Sequence, residues 1–170
     1  ILPPGNTSGY YANVEEWNGS SWTEVNNLPQ VVSAGVGTGT QTAALNVGGR
    51  NNPPGGTTIA NAYEYDGTNW TAGGSLGTAT NSAGIGGSQT AAVFFGGQTP
   101  SAPSGTSTSQ LYDGSSWTTT GSLATARREL SGQGTQTAAL ASGGNIPPPT
   151  NTSEEFTDPS FATQTLTTST

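Results

Sequence analysis

Short apolar runs, each closed by a pair of glycines, recur along the chain. The clearest is residues 90–95, which is followed by Gly96 and Gly97 and has the length and composition of a buried β-strand. Beyond a variable loop, residues 108–112 and 116–120 predict two more strands, and residues 127–132 predict a weaker fourth. We therefore expect a four-stranded antiparallel sheet with the apolar run as its innermost strand and with negligible helix.

This arrangement occurs three times with almost invariant spacing. Each copy has an aromatic turn closed by a tryptophan, a leucine six positions later, an apolar run that starts thirteen positions after the leucine, and a Gly-Gly pair. The elements are WNGSSW, YDGTNW and YDGSSW, ending at Trp22, Trp70 and Trp117; Leu28, Leu76 and Leu123; QTAAL, QTAAV and QTAAL from Gln41, Gln89 and Gln136; and Gly48/Gly49, Gly96/Gly97 and Gly143/Gly144. Repeats spaced by 48, 47 and 44 residues are typical of propeller blades or other stacked units.

The repeats define a single array over residues 1–170. It consists of a partial copy at 1–22, copies at about 23–70, 71–117 and 118–161, and a C-terminal strand at 161–170. The first eight residues, ILPPGNTS, are similar in sequence to IPPPTNTS, which begins at Ile146 shortly after a Gly-Gly pair. We expect residue 1 to follow a similar pair, and the chain to be the C-terminal part of a longer protein.

Composition narrows the classes of function. The net charge is −7 and the three cations are all arginine, so no basic stripe is available for nucleic acid or an anionic membrane. His, Cys and Lys are absent, which excludes nucleophiles activated by those residues. No apolar stretch approaches the roughly 20 residues that cross a bilayer. The sequence predicts no enzyme, no cofactor and no metal site.

The repeated residues resemble the kelch repeat of β-propellers. An apolar strand ending in Gly-Gly, an aromatic beside an acidic turn, a Trp five residues on and the segment Leu-Ala-Thr-Ala-Arg ending at Arg127 carry that likeness. The sequence segments YDGTNW, GSL, GTQTAAL and GG are also similar to tandem kelch-like repeats in fibre-like virion proteins of marine bacteriophages. The resemblance implies four-stranded antiparallel blades of a propeller that is partial or completed by oligomerisation. Two departures are that Val32 and Thr80 stand where Arg127 does, and that three copies are too few for a closed ring.

Several residues admit a functional and a structural interpretation. The three repeated tryptophans could stack on sugars, but their fixed place favours packing between blades. Asn18, Asp66 and Asp113 could bind calcium, but a following Gly favours a hairpin turn.

The remaining charged clusters are similarly ambiguous. The pairs Glu15-Glu16 and Glu154-Glu155 could bind a cation, but they also suit a solvated strand edge. Arg127-Arg128 could clamp an acidic sugar, although a structural ion pair inside the blade is favoured.

The variable loops are the better candidates for recognition. Each follows the same strand, so all should emerge on one face of the array. Their hydrogen-bonding residues predict contacts to a glycan or a neighbouring protein through Asn51, Asn52, Gln98 and Asn151. The alternative is that these loops are only solvated spacers.

We therefore expect a non-enzymatic structural or adhesive virion protein, a module of a phage tail fibre or capsid appendage on the virion surface. Its partners would be copies of itself or upstream repeats, other virion proteins and cell-surface glycan, with neither nucleic-acid binding nor membrane insertion. A secreted bacterial adhesin or extracellular matrix protein on the same scaffold is the alternative, and a glycan hydrolase a distant third.

Overall fold

The structure, a computed structural model, describes residues 11–51, 56–145 and 152–158 and is all-β over these ranges. Its main strands form four antiparallel sheets, which we number 1 to 4. Sheet 1 contains β1 (Val14–Trp17) and β2 (Trp22–Val25), and a separate small pair joins β3 (Val32–Ser33) to β6 (Arg50–Asn51). Sheet 2 contains β4 (Val36–Thr40), β5 (Ala43–Val47), β7 (Ala62–Tyr65) and β8 (Trp70–Ala72). Sheet 3 contains β9 (Gly84–Gly87), β10 (Ala92–Phe95), β11 (Ser109–Tyr112) and β12 (Trp117–Thr120), and sheet 4 contains β13 (Ser131–Gly134), β14 (Ala138–Ser142) and β15 (Ser153–Thr157).

The strand order corrects the prediction about the innermost strand. In sheet 3 the order is β12-β11-β10-β9, so the apolar strand β10 is second and the glycine-rich β9 forms the edge. That edge packs against the corresponding strands β4 and β13 of the neighbouring sheets. The tryptophan strand β12, predicted as the third of four, lies at the opposite edge.

The prediction of a fourth strand at residues 127–132 also needs correction. The strand there is β13 (Ser131–Gly134), and it pairs with β14 of sheet 4 instead of closing sheet 3. Arg127 and Arg128 make only isolated bridges, to Thr106 and Asn145. Sheets 2, 3 and 4 therefore each start with the glycine-rich strand that precedes the apolar run.

Glycine defines the central strands because their backbones nearly touch. A Cβ on Gly132 of β13 would lie 2.5 Å from both the N and the O of Ile85 in β9. The side chain of Thr38 in β4 donates a 2.7 Å hydrogen bond to the carbonyl of Gly87 in β9. A larger residue at such a position would push neighbouring sheets apart.

The core lies between the sheets. One apolar cluster joins sheets 2 and 3, with Leu45, Val47, Ile85 and Phe94 among its buried members. A second cluster joins sheets 3 and 4. No sheet has enough apolar residues for a core of its own, so each is stabilised by its neighbour, as in other repeat proteins.

The first two Gly-Gly pairs join one repeat to the next. Gly48 and Gly49 both have positive φ, at 62° and 102°, where side chains are strained. The Gly49 N–H donates to the Thr80 carbonyl at 2.8 Å, and the Gly97 N–H donates to the Arg127 carbonyl at the same distance. A Cβ on Gly48 would lie 2.3 Å from the Thr80 oxygen, so a larger residue could not approach so closely.

The third pair, Gly143 and Gly144, has different surroundings from the first two. Both residues have positive φ, at 65° and 105°, and they directly follow β14. A Cβ on Gly144 would lie 3.0 Å from the Arg128 carbonyl oxygen, whereas a Cβ on Gly143 would meet nothing within 4 Å. Because β15 is the last described strand, no further repeat packs on this pair within the described residues. Backbone conformation therefore requires glycine at Gly143, while space is also restricted at Gly144.

Candidate functional site

The glutamine of each apolar repeat forms a bridge between consecutive sheets. Gln89 Nε2 donates to the carbonyls of Ala44 (3.1 Å) and Tyr65 (2.6 Å) in the preceding sheet. Gln136 repeats the pattern with the carbonyls of Ala92 (3.3 Å) and Tyr112 (2.5 Å). These side chains hold two strands of one sheet against the next, so their recurrence has a structural cause.

We call the contacts between consecutive sheets (1 and 2, 2 and 3, 3 and 4) joints. A tyrosine–glutamate hydrogen bond accompanies the glutamine at the first two of these three joints. The Tyr65 hydroxyl donates to Glu16 at 2.7 Å, and the Tyr112 hydroxyl donates to Glu64 at 2.5 Å. The bond to Glu16 raises the pKa of Tyr65 to about 12. Burial, followed by the bond to Glu64, raises the pKa of Tyr112 to about 12.

The third joint replaces both polar partners. Leu111 stands at the position of Glu64, and Phe156 stands at the position of Tyr112. Both pack onto the apolar cluster between sheets 3 and 4. Because both residues change together, we infer that the pair serves packing between sheets. The contact is a polar hydrogen bond at two joints and an apolar contact at the third.

The repeated tryptophans are not equivalent. Trp117 is half-buried, stacks on Tyr112 at 4.7 Å between ring centroids, and donates its indole N–H to the Gly74 carbonyl at 2.9 Å. Trp70 is also half-buried, but its Nε1 is buried without a hydrogen-bond partner. Trp22 is 64% exposed. Packing between sheets therefore accounts for Trp117 and not for Trp22.

The unpartnered indole of Trp70 follows from a glycine-to-asparagine difference between copies. A Cβ on Gly74 would lie 2.1 Å from the carbonyl oxygen of Ser115, so only glycine allows the approach seen beside Trp117. Asn26 occupies the corresponding place in the preceding copy. Its side chain donates to the Thr68 carbonyl at 2.9 Å. Sheets 1 and 2 are thus joined through a side chain instead of by direct backbone approach.

The acidic turns are hairpin turns, as the sequence predicts. Asp113 Oδ1 accepts backbone N–H bonds from Ser115 (2.9 Å) and Ser116 (2.7 Å), and Asp66 makes the same pair of bonds to Thr68 and Asn69. Hydrogen bonds from these backbone groups lower the pKa of Asp66 and lower that of Asp113 further. Within the described ranges, no group of three or more acidic side chains comes together that could hold a metal ion.

We predict that Asp113 makes stability depend on pH in the acid range. Its folded-state pKa lies below the ordinary value of 3.8, so its contribution is present above that value and is lost as the pH falls. Replacing Asp113 with Asn keeps the acceptor oxygen but removes the charge, as Asn18 does in the first copy. Urea midpoints at neutral pH and at about pH 3 should show a smaller acid loss for D113N than for the parent. Equal losses would contradict the assignment.

Arg127 forms the structural ion pair that the sequence favours. Its side chain is fully buried and pairs with Glu154 of β15. Its Nη1 also donates to the carbonyls of Gly143 and Thr152, both at 2.9 Å. The guanidinium is therefore not available to clamp an acidic sugar. Arg128 is partly exposed and donates to Gln98 Oε1 (3.2 Å) and to the Pro103 carbonyl (3.0 Å).

Glu154 has a second role that sequence reasoning did not identify. It accepts the backbone N–H of Ala124 at 2.5 Å, and Gln110 accepts the N–H of Gly77 at 2.9 Å at the matching place one repeat earlier. In the copy before that, Pro29 has no N–H to donate, and Tyr63 replaces the acceptor. Comparing residues at the 44–48 residue spacing would have shown this pairing.

Two of the four predicted loop contacts lie in described segments, and both make internal hydrogen bonds. Asn51 is half-buried in β6, and its Oδ1 accepts the N–H of Thr57 at 3.2 Å. Gln98 exchanges backbone hydrogen bonds with Asn81 at 2.9 and 2.7 Å and accepts from Arg128. Asn52 and Asn151 lie outside the described residues.

Nowhere in the described part of the chain is there a helix long and apolar enough to cross a membrane.

Among solved structures, the chain is similar to the structure of YjhT. The TM-score is 0.68, with 16% identity, and the match covers 82% of this chain and 47% of the YjhT chain. At this identity the similarity concerns the fold alone, and the chain spans about half the length of YjhT. Neither a protein-family model nor a curated protein sequence matches the chain.

Proposed function

We propose that the chain is a non-enzymatic structural and adhesive module, built from kelch-like blades of a β-propeller, in a phage tail fibre or capsid appendage. The proposal depends on one observation: the polar residues that recur in each copy make structural hydrogen bonds. Gln89, Gln136, Tyr65 and Tyr112 all bridge consecutive sheets, and Asp113 closes a turn. Catalytic residues would instead be expected in one copy only, at a position where the repeat pattern is interrupted.

The radial blade arrangement is supported by the central strands. β4, β9 and β13 are the same edge of successive sheets and pack next to each other. A propeller places the first strand of every blade in this way around its axis. The fold similarity to YjhT covers 82% of this chain and 47% of the YjhT chain, which leaves room for additional blades of the same kind.

The loop face is the proposed attachment surface. The loop after Gly97 has an internal frame, because Thr99 and Ala102 exchange backbone bonds and Arg128 holds the Pro103 carbonyl. Its tip residues Pro100 and Ser101 are exposed. A framed loop with an exposed polar tip suits weak contacts to neutral glycan, and many copies on a fibre would multiply their strength.

The test separates the loop tip from the joints. Replacing residues 100–104 with a Gly-Ser segment should abolish binding of bead-displayed protein to a neutral glycan array and leave the melting temperature nearly unchanged. Tyr112→Phe should do the reverse, because it removes a joint hydrogen bond worth about 1–3 kcal/mol and leaves the tip intact. Unchanged glycan binding after the tip exchange would show that the loop is a spacer and contradict the proposal.

A further inference from the structure

A pocket beside the loop after Gly97 coincides with the place that the Arg127 side chain fills one repeat later. The residues around that guanidinium have counterparts in the preceding copy, and the counterparts all line the pocket: they are Thr80, Gly96, Thr108 and Gln110, at the positions of Arg127, Gly143, Thr152 and Glu154. Because threonine is much shorter than arginine, the space stays open. Its volume is about 200 Å³.

The backbone around the pocket matches the backbone around Arg127. The carbonyls of Thr80 and Arg127 each accept an N–H from the second glycine of a Gly-Gly pair at 2.8 Å. Gln110 and Glu154 each accept a backbone N–H from the segment that follows a tryptophan strand. The two copies therefore differ here mainly in the side chains that occupy the space.

The lining of the pocket is polar but uncharged. Seven of its ten residues carry a hydroxyl or an amide, and none of the ten carries a charge. The guanidinium of Arg127 pairs with the carboxylate of Glu154, whereas the amide of Gln110 cannot neutralise a cation. An unpaired charge in such a site is costly, so a charged ligand of either sign is disfavoured. The pocket therefore suits an uncharged ligand that makes hydrogen bonds.

One buried polar group of the lining has no partner. Gln110 is only 5% exposed. Its Oε1 accepts the N–H of Gly77 at 2.9 Å, whereas its Nε2 donates to no residue in the described ranges. A buried donor without an acceptor costs free energy. An oxygen atom of a ligand in the pocket would remove that cost.

We propose that this pocket binds one uncharged sugar residue of a glycan. It has room for several waters, since each takes about 30 Å³ in the liquid, and a ligand that displaces them must replace their hydrogen bonds. Sugar hydroxyls both donate and accept, as the threonine and serine hydroxyls of the lining do. The inference rests on the proposed attachment to neutral glycan and gives it a defined site, because Thr99 and Ser101 of the framed loop also line the pocket.

The first experiment titrates the full 170-residue chain with the methyl glycosides of glucose, galactose and mannose, followed by NMR. We expect saturable, millimolar binding of at least one of them, with the largest shift at the side-chain NH₂ group of Gln110. The methyl glycoside of glucuronic acid should bind roughly tenfold more weakly or worse, because no cation of the lining pairs with its carboxylate.

Matched variants of the chain locate the site. The double variant Thr80→Arg/Gln110→Glu rebuilds in the pocket the pair that fills the next repeat, so it should abolish binding. Thr78→Val removes one hydroxyl at an exposed lining position and should weaken binding about threefold to tenfold, the loss of one hydrogen bond. Thr118→Val changes an exposed threonine of β12 outside the lining and should leave affinity unchanged. Circular dichroism shows whether each variant is folded.

The glycan array separates a failure of this inference from a failure of the proposed function. A folded double variant that still binds the array, when exchange of residues 100–104 abolishes binding, would overturn the pocket and leave loop attachment standing. Absence of binding to both the array and the free sugars would contradict both. Shifts at Gln110 with dilute guanidinium chloride but with none of the sugars would assign the pocket to a cation and overturn the inference.

Equal affinity of Thr78→Val and the parent for the sugar would also contradict the proposed site.

Discussion

Replacing Arg127 with Thr is expected to lower the free energy of unfolding by about 3–5 kcal/mol, the usual result of breaking a buried ion pair from one side. The guanidinium is fully buried and bonds Glu154 together with the carbonyls of Gly143 and Thr152. Its loss leaves a largely buried carboxylate and two carbonyls without these donors. Urea unfolding followed by tryptophan fluorescence would measure the change.

The chain itself supplies the control for this prediction. One repeat earlier, Thr80 occupies the position of Arg127, and Gln110 occupies the position of Glu154 and still accepts a backbone N–H. The double variant R127T/E154Q reproduces that neutral pair. It should recover more than half of the stability lost in R127T, because no uncompensated charge remains. A double variant as unstable as R127T alone would show that the ion pair itself is not the origin of the loss.

Features fixed by local chemistry could be predicted from the sequence. The Asp-Gly turns, the Gly-Gly pairs and the buried apolar strand were all expected, because each depends on backbone preferences or on the hydrophobicity of neighbouring residues. The turn at Asp113 and the fully buried strand β10 confirm those expectations. The preference for an ion pair at Arg127 is likewise confirmed, although its partner Glu154 lies 27 residues away and was not named.

The innermost strand could not be identified by the same reasoning. Gly84–Gly87 has low β-propensity and one large apolar side chain, Ile85, so the apolar run after it looked like the better inner strand. What selects the glycines is the distance between backbones of different sheets, which depends on contacts between repeats. Such a requirement shows only when the copies are compared, through the glycines at positions 37, 39, 84, 86, 87, 132 and 134.

The candidate loop contacts were predicted from residue type, and residue type does not show whether a polar group is already engaged. Gln98 and Asn51 both use their side-chain oxygens for internal bonds. The exposed positions are instead the tips, such as Pro100 and Ser101. The loop face stays a prediction from the sequence, whereas which of its residues are free to make contacts could be read only from the hydrogen-bond network.

Substituting Gly132 with Ala is expected to destabilise the chain by about 3 kcal/mol or more, at the upper end of the cost of overpacking. The added Cβ would meet the N and O of Ile85 at 2.5 Å, and both are backbone atoms of a central strand that cannot rotate away. Sheets 3 and 4 would have to separate along β9 and β13, which would also loosen the apolar cluster between them.

Gly121→Ala is the matched control, since a Cβ at Gly121 meets nothing within 4 Å. It should leave the melting temperature within about 2 °C of the parent, whereas G132A should lower it by roughly 10 °C for a domain of this size. Thermal unfolding followed by circular dichroism measures both in one experiment. Equal melting temperatures would mean that β9 and β13 do not approach each other at the centre, and the order of strands in the sheets would then have to be revised.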